Sequence, residues 1–484
     1  MEQLRYTSED RSFRRLMACL GLALLLFYML CPAAPLRWND LYNSYGKILI
    51  ISMAAIYFYK RRFFGPVELK LVIAYTAWLF ITRLLNTDYY LQNELELVIS
   101  RVLCCVMLPI GILLERDERE KLLDLVIALV GAFYFITAVL SLFACIFSVY
   151  FYIPPENVVF GIDNNYYDTN TFTYIVAWES NRTISAAWFY LCWCMMAYEF
   201  FHCKNKLWRI PICIAWFVFH LALAFCLCRS LMLAVCGNVV MLVILLGMKY
   251  IKTKKLALRL VAIALIAVVS LPITYKSFET LRDASAVAYN ALDTDIERIS
   301  DQYMSPGFRE RASGGQVFED PRDLKKSVSN ISQRGEIFAS VIPTFKDDPA
   351  RLFIGKYSNK IMDIPHKYQS HPYYHMHNYL LQTLMLTGLV GLMLVLGFTV
   401  LMVIKMIRLF FSQHPEATLA VKTLTLPLSG VFVYGMFEIV LFTQSADERA
   451  VTDFRELFFF LLAGIFLGYY YEIFPPRKKG AKSK

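Results

Sequence analysis

The chain has 484 residues, of which 57% are hydrophobic and only 18% charged, and its mean hydropathy is +0.47, which excludes an ordinary soluble globular protein. Apolar blocks of about 20 residues recur along nearly the whole length, as a hydrocarbon core about 30 Å thick requires, and backbone groups in lipid must be satisfied inside each segment, so the blocks are expected to be helices. The net charge of +10 does not point to nucleic acid, because the excess sits in short clusters between apolar blocks rather than on one continuous face.

In chain order, spans are expected at 16–34, 41–59, 66–85, 95–114, 122–151, 185–201, 207–227, 230–250, 255–274, 378–404, 420–443 and 455–473. The first follows Arg11, Arg14 and Arg15. It is too long for the apolar part of a secretory signal and more spans follow, so it is read as an uncleaved helix. Basic clusters at Lys60 to Arg62, Lys204 to Arg209, Lys249 to Arg259, Lys405 with Arg408, and Arg477 to Lys484 fall in alternate gaps. This is the positive-inside pattern and places both termini in the cytoplasm. The expected fold is an all-α, polytopic membrane helix bundle of about twelve spans, with a large extracytoplasmic loop between the ninth and tenth. The chain then divides into residues 1–274 with nine spans, the loop region 275–377, and residues 378–484 with three spans and a basic tail.

A loop of that length is usually functional or disordered. Apolar residues at Leu281, Ala284, Ala288, Leu292, Ile296 and Ile299 recur at helical spacing and predict an amphipathic helix over 278–303. The twelve cysteines lie in or beside apolar blocks and show no CxxC pattern, so they read as packing residues. Arg101 and Glu438 fall inside expected spans and are expected to face the bundle. Gly464 and Gly468 form a small-xxx-small step for helix packing. Tyr469, Tyr470 and Tyr471 read as an interfacial belt.

Four of the seven histidines occupy one short segment before the tenth span: His366, His371, His375 and His377. The segment admits interfacial packing, a metal site with ligands at His371, His375 and His377, or a general base. His377 is expected in the first turn of the tenth span, where the helix dipole disfavours imidazolium. Three arginines, Arg182, Arg229 and Arg334, are expected on the extracytoplasmic side near the membrane surface. Arg229 in a short outer hairpin opposes the positive-inside bias. Guanidinium suits a multidentate grip on phosphate, and several beside a membrane can hold a diphosphate lipid head group and stabilise its charge as it leaves.

The run His377-Asn378-Tyr-Leu-Leu-Gln, with Leu386-Thr-Gly388-Leu-Val-Gly391, resembles the signature of the O-antigen ligase and polymerase superfamily. Cys228-Arg229-Ser230 is similar to the family's Ser-Arg-Gly or Ser-Arg-Ser step, although Cys228 stands where Ser is usual. Arg334-Gly-Glu-Ile-Phe and the stretch from Pro349 to Tyr357 resemble its outer-loop pattern. Arg182 matches less well, since the usual following Gly and Asn-Pro pair are missing. The resemblance spans roughly residues 155–400. It implies a metal-independent, inverting membrane glycosyltransferase without cofactors, in the bacterial cytoplasmic membrane. The donor it implies is an undecaprenyl-diphosphate-linked glycan, and the acceptor another glycan or lipid. On that reading His377 deprotonates the acceptor, and Arg229, Arg334 and Arg182 bind the diphosphate. A polysaccharide polymerase shares these features, and His371 and His375 are left without a role. A transporter or flippase would call for ionisable residues at mid-membrane and an inverted repeat; the chain has few of the first and none of the second.

Overall fold

In a computed structural model, the residues described are 8–30, 52–54, 56, 65–86, 105–146, 151–153, 157–160, 182–226, 228–251, 256–291, 334–356, 362–369, 375–438, 441 and 454–475. Their regular elements are helices apart from one short antiparallel strand pair, and six of the helices are long and apolar enough to cross a membrane. The protein is therefore a multi-pass membrane protein with a largely helical fold. The chain forms two compact units, one from residues 1–31, 38–124 and 328–484, the other from 32–37 and 125–327.

In the first unit, α1 (Ser8–Leu30) begins before the expected span because Arg14, with a fully buried side chain, pairs with Glu115 at 2.7 Å and Glu118 at 3.0 Å. A charged residue reaches into the packed region only with such partners. Helix α2 (Val67–Leu85) matches its expected span, whereas of the span at 95–114 only the helix α3, residues 105–113, is described. Helix α4 (Arg116–Ile146), which belongs to this unit up to residue 124 and to the second from 125, starts a turn and a half earlier than expected, its first turns tied down by Arg119 to Glu472 and by Arg116 to Glu120. The span at 41–59, apart from residues 52–54 and 56, lies outside the described residues, as do Arg101 and the basic tail.

In the second unit, the strands β1 (Phe151–Ile153) and β2 (Asn157–Phe160) pair antiparallel within a stretch expected to be a loop. Helices α5 (Arg182–His202), α6 (Arg209–Cys226) and α7 (Arg229–Tyr250) follow close to expectation. Tyr134 stacks on Trp188 at 4.8 Å, and buried Asn238 donates to the Tyr190 hydroxyl at 2.5 Å, which satisfies its amide inside an apolar core. Helix α8 (Leu256–Ala291) corrects the expected boundary at 274. The first part of the amphipathic segment continues the ninth span instead of forming a separate helix, and residues 292–303 lie outside the described residues. With 36 residues α8 is about 54 Å long, well over the hydrocarbon thickness. Leu258, Leu260, Val261, Leu265, Ile266 and Val268 are exposed along it, an apolar face that only lipid or another apolar surface can cover.

Back in the first unit, residues 334–339 form α9, followed by α10 (Val341–Asp347) and α11 (Pro349–Ile354). Then come a 3-10 turn (Pro365–Tyr368) and the long helix α12 (Tyr379–Phe410). Helices α13 (Leu419–Thr423), α14 (Thr425–Gly435) and α15 (Phe454–Ile473) complete the unit. The eleventh span expected at 420–443 is thus two short helices, and Glu438 lies in the turn after α14 rather than inside a helix. Helix α15 is buried from Glu456 to Tyr470 and packs on α3. A Cβ on Gly464 would run into the Leu108 carbonyl, and one on Gly111 into the α15 backbone, so the small-residue step serves helix packing. Tyr469 and Tyr470 are buried, not belted at an interface: Arg119 lies over the Tyr469 ring at 4.7 Å and Arg408 donates to the Tyr470 hydroxyl at 3.2 Å.

Helix α12 is broken. Gly388 has φ 66° and ψ −168°, a conformation open to glycine and strained for other residues. The end of α11 docks into this break: Gly355, with φ 69°, lies against the backbone of Leu386 and Thr387, and Gly388 against the Phe353 carbonyl. The Lys356 amide donates to the Met385 carbonyl at 2.9 Å, and the Trp78 indole takes the Thr387 carbonyl at 2.7 Å. Backbone groups released by the break are thereby satisfied, as an apolar setting demands. Two glycines 33 positions apart in the sequence are required by one backbone-to-backbone contact.

Candidate active site

The broken helix α12 positions the site through its N-terminus. Asn378 is the N-cap: its side-chain oxygen accepts from the Leu380 and Leu381 amides, each at 3.0 Å. The same side chain donates to the Met436 carbonyl at 3.0 Å, tying the start of α12 to the turn after α14. Gln382, buried, accepts from the Met376 amide at 2.9 Å. Tyr379 fills the space beside Gly435, where a Cβ would come within 2.8 Å of its ring. The backbone on both sides of the site is therefore held by specific polar and packing contacts.

His377 lies one residue ahead of the N-cap, not in the first turn of the helix as the sequence suggests, because Asn378 takes the capping position. Its φ of 46° makes it the sole non-glycine residue with positive φ among the described residues. Such a conformation costs about 1 kcal/mol or more and persists where surrounding contacts over-determine it. Those contacts are present. The His377 amide donates to His375 Nδ1 at 3.2 Å, and the two rings lie 3.9 Å apart at 55°. His377 Nδ1 faces Glu438 Oε2 at 3.3 Å.

Glu438 uses its second oxygen on Arg334, with Nη2 to Oε1 at 3.5 Å, and the Arg334 guanidinium lies 5.8 Å from the Phe437 ring centre. One carboxylate thus faces both the imidazole and the guanidinium. The side chains are 23% exposed for His377, 16% for Glu438 and 35% for Arg334: shielded enough to strengthen their interactions, open enough to meet a substrate. Burial, with the neighbouring His377 adding to it, pushes His375 down to about 4. Burial works against ionisation of Glu438, but the hydrogen bond from His377 and the charges of His377, His375 and Arg334 outweigh it and hold the carboxyl below its ordinary value.

The ligand atoms of His375, His377 and Glu438 lie within 4.8 Å of one another, a set that could hold a metal ion. Two features oppose it. His375 Nδ1 already accepts the His377 amide, and the Arg334 cation sits on the same carboxylate. A divalent ion there would face a fixed positive charge at close range. His371, the third histidine of the metal reading from sequence, lies outside the described residues.

Of the residues singled out from sequence, the structure brings His377 and Arg334 to one carboxylate. Arg229 opens α7 in the second unit, exposed, after buried Cys228. Arg182 is the first residue of α5 in the same unit. Glu438 was missed as a site residue. Its signal was present, since a carboxylate at the end of an apolar block is costly and needs a partner, but sequence could not say which partner. Arg351, in the stretch carrying the loop resemblance, is structural: fully buried, it pairs with Asp348 at 3.4 Å and Asp363 at 3.5 Å.

No curated protein matches the chain. Residues 212–396 match the family model described as O-antigen ligase, a segment that holds Arg229, Arg334 and His377 but neither Arg182 nor Glu438. The match includes the motifs around Arg229, Arg334 and His377 on which the resemblance rests, so this part of the chain is similar to the O-antigen ligase family.

Proposed function

We propose that the protein transfers a glycan from undecaprenyl diphosphate to an acceptor hydroxyl at the extracytoplasmic face of the bacterial cytoplasmic membrane, with both termini on the cytoplasmic side. The observation that carries this reading is the meeting of His377 and Arg334, both inside the segment that matches O-antigen ligase, at one half-buried carboxylate. His377 takes the acceptor hydroxyl proton as that oxygen bonds to the anomeric carbon. The carbon–oxygen bond to the diphosphate breaks, its electron pair leaves on the diphosphate, and the anomeric centre inverts. Arg334 stabilises the charge that grows on the leaving group, the kind of contribution that fixed cations make best in a shielded site. For Arg229 and Arg182 the same role rests on the resemblance of their motifs alone. The step requires no metal, because arginine supplies the positive charge and histidine the base.

Ligation to another lipid or wall component is the primary reading, and polymerisation of lipid-linked repeat units the alternative. The test is the lipid-linked glycan pool in cells lacking the protein, resolved by chain length. Long chains retained on the lipid establish a ligase, and single repeat units establish a polymerase. An unchanged pool overturns glycan transfer altogether and returns the question to a transporter.

A further inference from the structure

We infer that Glu438 is the positioning carboxylate of this site, orienting the His377 imidazole and steadying Arg334 from a turn that the matched segment does not include. The inference rests on the proposed transfer reaction and names a residue for it. Glu438 Oε2 lies 3.3 Å from His377 Nδ1, and Oε1 lies 3.5 Å from Arg334 Nη2. A carboxylate has no proton to give, so at this contact Nδ1 donates and the imidazole carries its hydrogen there. Nε2 is then the unprotonated nitrogen, and it is the atom that takes the acceptor proton. As the acceptor oxygen bonds to the sugar and the diphosphate leaves with the bonding pair, the proton arrives on Nε2. The resulting imidazolium stands beside an anion that has not itself been protonated. This is the logic by which a buried acid orients and supports a histidine base.

The fold supplies the rigidity this role needs. The Glu438 amide donates to the Tyr434 carbonyl at 3.0 Å, and Asn378 holds the Met436 carbonyl two residues upstream. The turn that carries the carboxylate is thus tied to the N-cap that follows His377. Phe437, in the same turn, offers its ring to Arg334 at 5.8 Å. Three consecutive residues, Met436, Phe437 and Glu438, therefore connect the helix cap, the guanidinium and the imidazole.

The experiment uses the full-length protein in lipid nanodiscs, ¹⁵N-labelled at histidine, with His377→Asn supplying the assignment. Asparagine is chosen because it tolerates positive φ. The expected spectrum shows His377 protonated on Nδ1, and protonation on Nε2 alone overturns the inference without any reference to turnover. Transfer from a polyprenyl-diphosphate glycan is then measured for E438Q and E438D. With E438Q, kcat falls about 100-fold while donor KM changes by less than about threefold, and E438D recovers about a tenth of wild-type kcat or more. In an H377N background E438Q adds no further loss, because a positioning residue acts through its partner. Wild-type kcat in E438Q, with H377N inactive, sinks the role of Glu438 and leaves the transfer reading intact. Full activity in H377N sinks the transfer reading itself.

Discussion

The two ends of α12 each carry a carboxylate among cations and aromatic rings, and they differ in almost every other respect. At one end Glu68 is fully buried; it pairs with Lys405 and accepts from the Tyr471 hydroxyl at 2.7 Å, while Lys405 donates to the same hydroxyl at 2.7 Å. The Lys405 ammonium also lies 4.2 Å from the Tyr471 ring centre. At the other end Glu438 makes longer contacts, 3.3 Å to His377 and 3.5 Å to Arg334, in a partly open site with strained backbone at His377. The closed cluster has short bonds around a fully buried carboxylate. The open one has long bonds, exposure and a residue held in an unfavourable conformation, which is where strain is tolerated for function. Similar chemistry is thus a clasp where it is sealed and, on the proposed reading, a site where it is left open.

The comparison breaks most sharply if activity and stability are exchanged between the ends. His377→Asn is expected to lower glycan transfer by about 100- to 10,000-fold with normal abundance in the membrane. A comparable fall in abundance would make the open end a clasp as well. Lys405→Met should do the reverse, costing about 3–5 kcal/mol of stability by stranding the buried Glu68 charge, read as thermal unfolding in nanodiscs. Adding Glu68→Gln should restore much of that loss, since a neutral pair no longer strands a charge. Between the ends, Gly388→Ala should destabilise by about 2–3 kcal/mol, because it combines a disfavoured φ with a clash against Phe353; an unchanged unfolding temperature would contradict the docking of α11 into the break.

Smaller effects sharpen the picture. His375 is depressed from 6.5 to about 4 by burial and by His377, so the unfolded chain takes up its proton first. Stability is therefore lost as pH falls from about 6.5 to about 4 and is unaffected by this group above that window. His375→Gln should flatten that limb of a pH–stability curve, and an unaltered slope would mean that His375 is not buried as a neutral group. Trp78→Phe, which removes one hydrogen bond to the Thr387 carbonyl, should cost about 1 kcal/mol.

Much of this was legible in the sequence, and for local reasons. Apolar blocks and basic clusters pointed to a membrane bundle, and helices such as Val67–Leu85, Arg229–Tyr250 and Phe454–Ile473 fall close to where hydropathy puts them. Boundaries failed where a distant partner intervened: Ser8–Leu30 starts early because Arg14 pairs with Glu115 and Glu118, and Leu256–Ala291 absorbs a segment expected to stand alone. The tyrosines at 469–471 looked interfacial, since a ring with a hydroxyl suits a membrane surface, but Arg119, Lys405 and Glu68 draw them inward.

By itself the sequence determined that this chain lives in a membrane, made His377, Arg229 and Arg334 stand out chemically, and placed glycines at 355 and 388 within the motifs of the resemblance. Those properties depend on residue type and near spacing. Only the tertiary structure decided that the two glycines meet, that Asn378 rather than His377 enters the cap, and that Glu438, 61 positions after His377, holds both that imidazole and Arg334. Hydropathy is a sum over neighbours in the chain, whereas a charge-assisted contact is set by a few ångströms between atoms that only folding brings together.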